Sequence, residues 1–199
     1  MFTKHLTKVI QMEKEKKLDL RVIKTRAALT DALYKLMCEK SLDEITVTEL
    51  CQRAMIRMAT FYKHFGDKTE LLVYLIQEMM LLSKENNEIG YDPEDPYSYY
   101  SGVFSYLIDF VESNERFVLN VLHSRSGSYV REILEEQIRM DIDEQLRQEE
   151  REDLRRSHAM LSAVYASAIV GCVIWWVTQP NRPLKEELIP QFNEFVYRL

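Results

Sequence analysis

The run Thr60-Phe61-Tyr62-Lys63-His64-Phe65 sets side chains able to bind DNA among aromatics able to be buried. Phe61 and Phe65 stand four residues apart and share one helix face, so Thr60, Lys63 and His64 point largely elsewhere. The chemistry on offer is that of groove and phosphate contact. Arg57 carries the two donors that grip guanine O6 and N7, Thr60 a methyl for thymine or a hydroxyl for a base or phosphate, and Lys63 a point charge. Tyr62 aims its hydroxyl at phosphate, and Met58 and His64 complete the direct-contact set. Thr46 and Thr48, at the start of the preceding helix, are placed to reach the backbone. Lys68, with the N–H groups that open the following helix, suits another phosphate. A surface aromatic at Tyr62, a solvated charge at Lys63 and a capping or surface His64 are the plainer readings of the same residues.

Two short helices must hold these groups. Residues 46–54 form one, with Val47, Leu50, Cys51 and Ala54 spaced for burial, and the tight link Met55-Ile56-Arg57 leads into the second. That is the requirement of a helix-turn-helix reader. Upstream, Ala28, Leu29, Ala32, Leu33, Leu36 and Met37 make an amphipathic first helix. Over residues 21–72 this series, with Ile45-Thr46-Val47-Thr48-Glu49-Leu50-Cys51-Gln52-Arg53-Ala54 and Asp67-Lys68-Thr69-Glu70-Leu71-Leu72, resembles the tetracycline-repressor (TetR) family of bacterial transcription regulators. Two positions depart from that family. Met55 stands where it usually has Gly, the residue that most easily takes positive φ, and Arg57 stands where a Ser or Thr cap is common.

The charge distribution agrees with a DNA-facing first third. Residues 1–68 hold fourteen Lys and Arg against nine Asp and Glu, a net +5; residues 69–199 hold twelve against twenty-three, a net −11, within an overall −6. A basic segment neutralises phosphates, while an acidic remainder is repelled by the duplex.

With Gly and Pro scarce and no sustained strand alternation, the chain reads as all-α. Helices are expected near 20–40, 46–53, 57–64, 67–88, 96–112, 114–123, 127–150, 153–178 and 184–198, about nine in all. Asp43, Asp67 and Asp95 stand where N-caps are wanted. Residues 90–96 form the clearest connector, and Pro190 either kinks the last helix or starts a new one at Ile189. The domain expectation is a charged extension at 1–18, a helix-turn-helix domain at 19–68 and a regulatory and dimerisation domain at 69–199.

Residues 159–177 are nineteen without a charge, long enough to span a bilayer. Ala159, Ala163, Ser167 and Gly171 recur every four residues there and form a ridge of small side chains against which another helix fits closely. No charged or aromatic anchors flank the stretch on both sides, so a buried or dimer helix is expected and no membrane partner. The resemblance implies a homodimer through the last two long helices, a four-helix bundle.

A regulatory pocket is less legible. Met79, Tyr100, Tyr106, His123, Tyr165 and Trp175 are candidate linings for a planar or apolar small-molecule effector, against the plainer reading of core packing. No HExxH, GxSxG, P-loop or GxGxxG pattern occurs and the four His are scattered, so neither enzyme nor cofactor is expected. Three cysteines at non-metal spacing read as thiols of a reducing, cytoplasmic compartment. The expected function is a DNA-binding regulator, a repressor, released from a palindromic operator by a small molecule; the alternative is a helical regulator acting through a partner protein.

Overall fold

The computed structural model describes residues 20–86, 92, 95, 97–148 and 158–196. The expectations for residues 1–18, for most of the 90–96 connector and for 149–157 lie outside them. Among the described residues there are helices and turns and no strand, and the chain divides into two compact units, one ending at Met79 and the other beginning at Met80.

In the first unit α1 (Leu20–Met37) buries Leu29, Ala32, Leu33, Leu36 and Met37, a stripe at helical spacing. It ends three residues before the expected 40, because Glu39 N and Lys40 N both turn back to Leu36 O. A 3-10 turn (Leu42–Glu44) follows that the sequence reading did not anticipate. Its cap is Ser41 rather than Asp43: Asp43 N donates to Ser41 Oγ, and Ser41 N donates to Glu44 Oε2 at 3.1 Å. Thr46 caps α2 (Val47–Arg53) by accepting from Glu49 N at 3.1 Å. Helix α3 (Met58–His64) buries Phe61. Asp67 caps α4 (Lys68–Asn86) by accepting from the N–H groups of Thr69 and Glu70, both at 2.8 Å. The division after Met79 falls inside α4, not at the expected 68, because the buried Leu71, Leu72, Leu75 and Ile76 belong to the first unit.

In the second unit α5 (Ser98–Ser113) packs on α6 (Glu115–Leu122), α8 (His158–Thr178) and α9 (Lys185–Val196), while α7 (Gly127–Gln148) runs along α8. Stacked rings fill its centre: Phe104 on Phe192 at 3.8 Å and Tyr100 on Tyr165 at 4.2 Å. Polar straps close the α5–α9 seam, with Ser101 Oγ donating to Asn193 Oδ1 and Lys185 Nζ to Asp109 and Glu112, all at 2.7–2.8 Å. Gly127 is required where α6 turns into α7, since a Cβ there would lie 2.7 Å from Leu122 O. Pro190 sits within α9, which begins before it and runs through.

Candidate nucleic-acid interface

The α2–α3 turn solves the problem that Met55 poses. Ile56 N donates to Cys51 O at 2.9 Å and Met55 N to Gln52 O at 3.1 Å, the double closure of a helix that ends on a left-handed residue. Met55 takes that conformation, φ 55°, without being glycine. Its side chain is 93% exposed, so the strain of about 1–2 kcal/mol is offset by no packing of its own. Arg57 then starts α3 in extended conformation, φ −73° and ψ 142°, and its side chain makes no cap hydrogen bond.

From this start α3 turns Phe61 into the core and leaves Arg57, Met58, Ala59, Tyr62 and Lys63 exposed, with Thr60 and His64 half-buried. Ala59 is a member of the outward face that the sequence reading missed; a small apolar residue gives no signal of its own. Behind the face stands an aromatic column: Phe61 meets Tyr62 edge-on at 5.2 Å, and Phe65 packs 5.5 Å from Tyr74 on α4. Arg26 of α1 lies 5.3 Å over the Tyr74 ring, whose hydroxyl donates to Glu78 at 2.6 Å. Burial first, and Glu78 second, push the Tyr74 hydroxyl up to about 12, so it remains a neutral donor.

Several expected contacts have a structural task as well. Thr46 spends its lone pair on the α2 cap and keeps its hydroxyl hydrogen, and Thr48 Oγ1 donates to Met58 Sδ at 3.8 Å, tying α2 to α3. Lys68 is a correction. Its ammonium donates to Leu42 O at 2.6 Å and Ile45 O at 2.7 Å, so it straps the 3-10 turn to α4 instead of pointing at phosphate. Two ion pairs fix α2 against the end of α1: Lys40 with Glu49 at 2.8 Å and Arg53 with Glu39 at 2.8 Å. The Lys40 hydrogen bond holds the Glu49 carboxyl below its ordinary range. These pairs join residues nine and fourteen apart in sequence, where no helical spacing announces them.

In the second unit the expected pocket residues separate. Tyr106 lines a cavity of about 20 Å³ together with Tyr99, Met80, Leu107, Ile138 and Asp141. Tyr100 and Tyr165 instead fill the core by stacking on each other, and Met79 is not among the lining residues. His123 and Trp175 lie on the surface. The pocket expectation thus named Met79 and Tyr100, each one residue away from the lining Met80 and Tyr99, and one helical step turns a side chain by about 100°. Burial, with the charges of Asp141 and Glu144, pushes the Tyr99 hydroxyl up to about 12.

The small-residue ridge of α8 faces outward. Ala159 and Ser167 are exposed, Ala163 and Gly171 half-buried, and a Cβ on Gly171 would meet nothing within 4 Å. Ser167 Oγ donates to Glu135 Oε1 on α7. Met160 and Trp175, 62% and 49% exposed, stand on the same helix. By length and composition α8 could cross a membrane; 44% of its most apolar window is buried in the protein.

Residues 29–75 match the model of the bacterial regulatory proteins of the tetR family, and residues 99–198 match that of a transcriptional regulator C-terminal region. The chain belongs to the tetR family. Its curated relatives include the uncharacterized HTH-type transcriptional regulator YxbF of Bacillus subtilis, 43% identical over 68 residues that make up 34% of this chain and 18% of that protein. An HTH-type transcriptional regulator of Haemophilus influenzae is 36% identical over 63 residues, 31% of each chain. The chain spans from 18% to about half the length of such relatives. Among solved structures, a TetR transcriptional regulator from Streptococcus agalactiae superposes with a TM-score of 0.62 at 19% identity, covering 89% of this chain and 96% of that one. AibR in complex with isovaleryl coenzyme A and operator DNA gives 0.54 at 18%, covering 88% and 97%. At these identities the structural likeness establishes the shared TetR fold.

Proposed function

We propose that this TetR-family regulator binds a palindromic operator as a homodimer in the cytoplasm, represses transcription there, and is released by a small-molecule effector. One observation carries the reading: the outward face of α3, with Arg57, Tyr62 and Lys63 exposed beside Thr60 and His64, on a unit whose caps and straps hold it rigid. Arg57 serves as the base reader and Lys63, Tyr62, Thr46 and Thr48 as backbone contacts. The ridge of Ala159, Ala163 and Gly171 with Met160 and Trp175 supports a second copy, which a site with half-sites about 34 Å apart requires. AibR, a protein of this fold, is described with both an acyl-coenzyme A and operator DNA. Repression follows family habit, although a neighbour of the same fold, DhaS, is described as an operon activator.

A gel shift with the DNA upstream of the protein's own gene tests the reading. A specific shift that weakens steeply with salt is expected; no shift on any duplex overturns it. A second reading rests on the cavity, which at about 20 Å³ holds a water molecule and no effector. That favours release by a partner protein. A thermal-shift screen separates the two, because a small molecule that raises the melting temperature and releases DNA excludes the partner reading.

A further inference from the structure

Two bulky apolar side chains stand exposed on α3, where Met58 is 43% and Tyr62 54% accessible. They are four residues apart and so share one face, with the exposed Ala59 beside Met58. Isolated apolar residues on a surface call for no explanation, but a contiguous patch on a binding face does. The patch is bordered by Arg57 and Lys63, and α3 carries no carboxylate, so its surroundings are cationic. Moreover, the Met58 thioether does not swing freely, since Thr48 Oγ1 reaches from α2 to donate to its sulfur.

A cationic rim around an apolar centre fits the major groove over thymine. The C5-methyl of thymine is the apolar group that a base pair displays there, and it distinguishes A·T from T·A. Methionine, long and polarisable, reaches such a methyl and wraps it. We propose that Met58, with Ala59 beside it, is a specificity-determining residue that reads a thymine methyl in each half-site, and that Thr48 is a positioning residue that holds the thioether in place. The proposal rests on the DNA-binding reading above and adds the base that the patch selects.

The test starts from duplexes enriched by the wild-type protein out of a randomised pool. In the best of them each thymine is replaced in turn by deoxyuridine, which lacks only the methyl. One position per half-site should lose about 3- to 5-fold in affinity, the worth of one methyl contact. Met58→Ala should bind the thymine and deoxyuridine duplexes alike, and Thr48→Val, which removes the donor and keeps the shape, should shrink the ratio without abolishing it. A wild-type protein indifferent to every deoxyuridine, or a Met58→Ala variant with an unchanged ratio, overturns the proposal and leaves the DNA reading standing. Failure to enrich any duplex overturns both, and would leave the patch to a protein partner.

Discussion

On α3 the side chains left to solvent are Arg57, Met58, Tyr62 and Lys63; on α8 they include Ala159, Met160, Val164 and Trp175. Both helices bury one face in their own unit, and the difference lies in what the other face would meet. Cations around a small apolar centre match a polyanion with methyls in its groove, whereas small residues beside bulky apolar ones match another helix. Supporting architecture differs in the same sense. The first unit is held by charged and capping groups, Lys68 on two carbonyls and Lys40 and Arg53 on glutamates. The second relies on stacked rings, Phe104 on Phe192 and Tyr100 on Tyr165. A reading head needs fixed side-chain positions, and directional hydrogen bonds supply them; a packing surface needs area.

Replacing Lys68 with Met keeps the stem and removes the donor from the carbonyls of Leu42 and Ile45, which should cost about 1.5–3 kcal/mol, read as a lower urea midpoint. The salt slope of DNA binding should not change; a shallower slope would restore Lys68 as a phosphate contact. On the α8 side, Gly171→Leu inserts bulk where the protomer itself has open space. Helix content should hold while dimerisation weakens by about 1–3 kcal/mol in sedimentation velocity, and an unaltered dimer would move the interface elsewhere. At the turn, Met55→Gly relieves the left-handed strain and should stabilise by about 1 kcal/mol, a rise of a few degrees in melting temperature; a fall would show that Met55 packs against something after all. The smallest effect is that of Tyr62→Phe, which should weaken all duplexes alike by about 0.5–1.5 kcal/mol; a loss confined to one sequence would make the hydroxyl a base reader.

Much of the fold was legible because helical periodicity is local: Leu29, Leu33, Leu36 and Met37 announce α1, and Phe61 with Phe65 announces the inward side of α3. The need for a left-handed residue between α2 and α3 was also legible, though not that Met55 would supply it. What escaped depends on residues distant in sequence. The Lys68 strap reaches back twenty-six residues to Leu42, and nothing near Lys68 distinguishes a lysine aimed at a carbonyl from one aimed at phosphate. Likewise, composition showed that the second unit has aromatics for a pocket, but which of Tyr99 and Tyr100 faces a cavity depends on the rotation of α5 against its neighbours. Stacking with Tyr165 decides it for Tyr100.

The central claim is that the outward face of α3 is the DNA-reading surface. Its most direct test is a fluorescence-anisotropy titration of an enriched duplex with the triple variant Arg57→Ala, Met58→Ala, Lys63→Ala, whose three positions are all exposed and therefore leave the core intact. The variant should keep wild-type circular dichroism and dimer mass and lose at least about 100-fold in affinity, from one base contact of about 1–3 kcal/mol plus a phosphate contact and the Met58 patch. Binding within a few-fold of wild type, with fold and dimer unchanged, would contradict the claim and place the DNA contact on another surface.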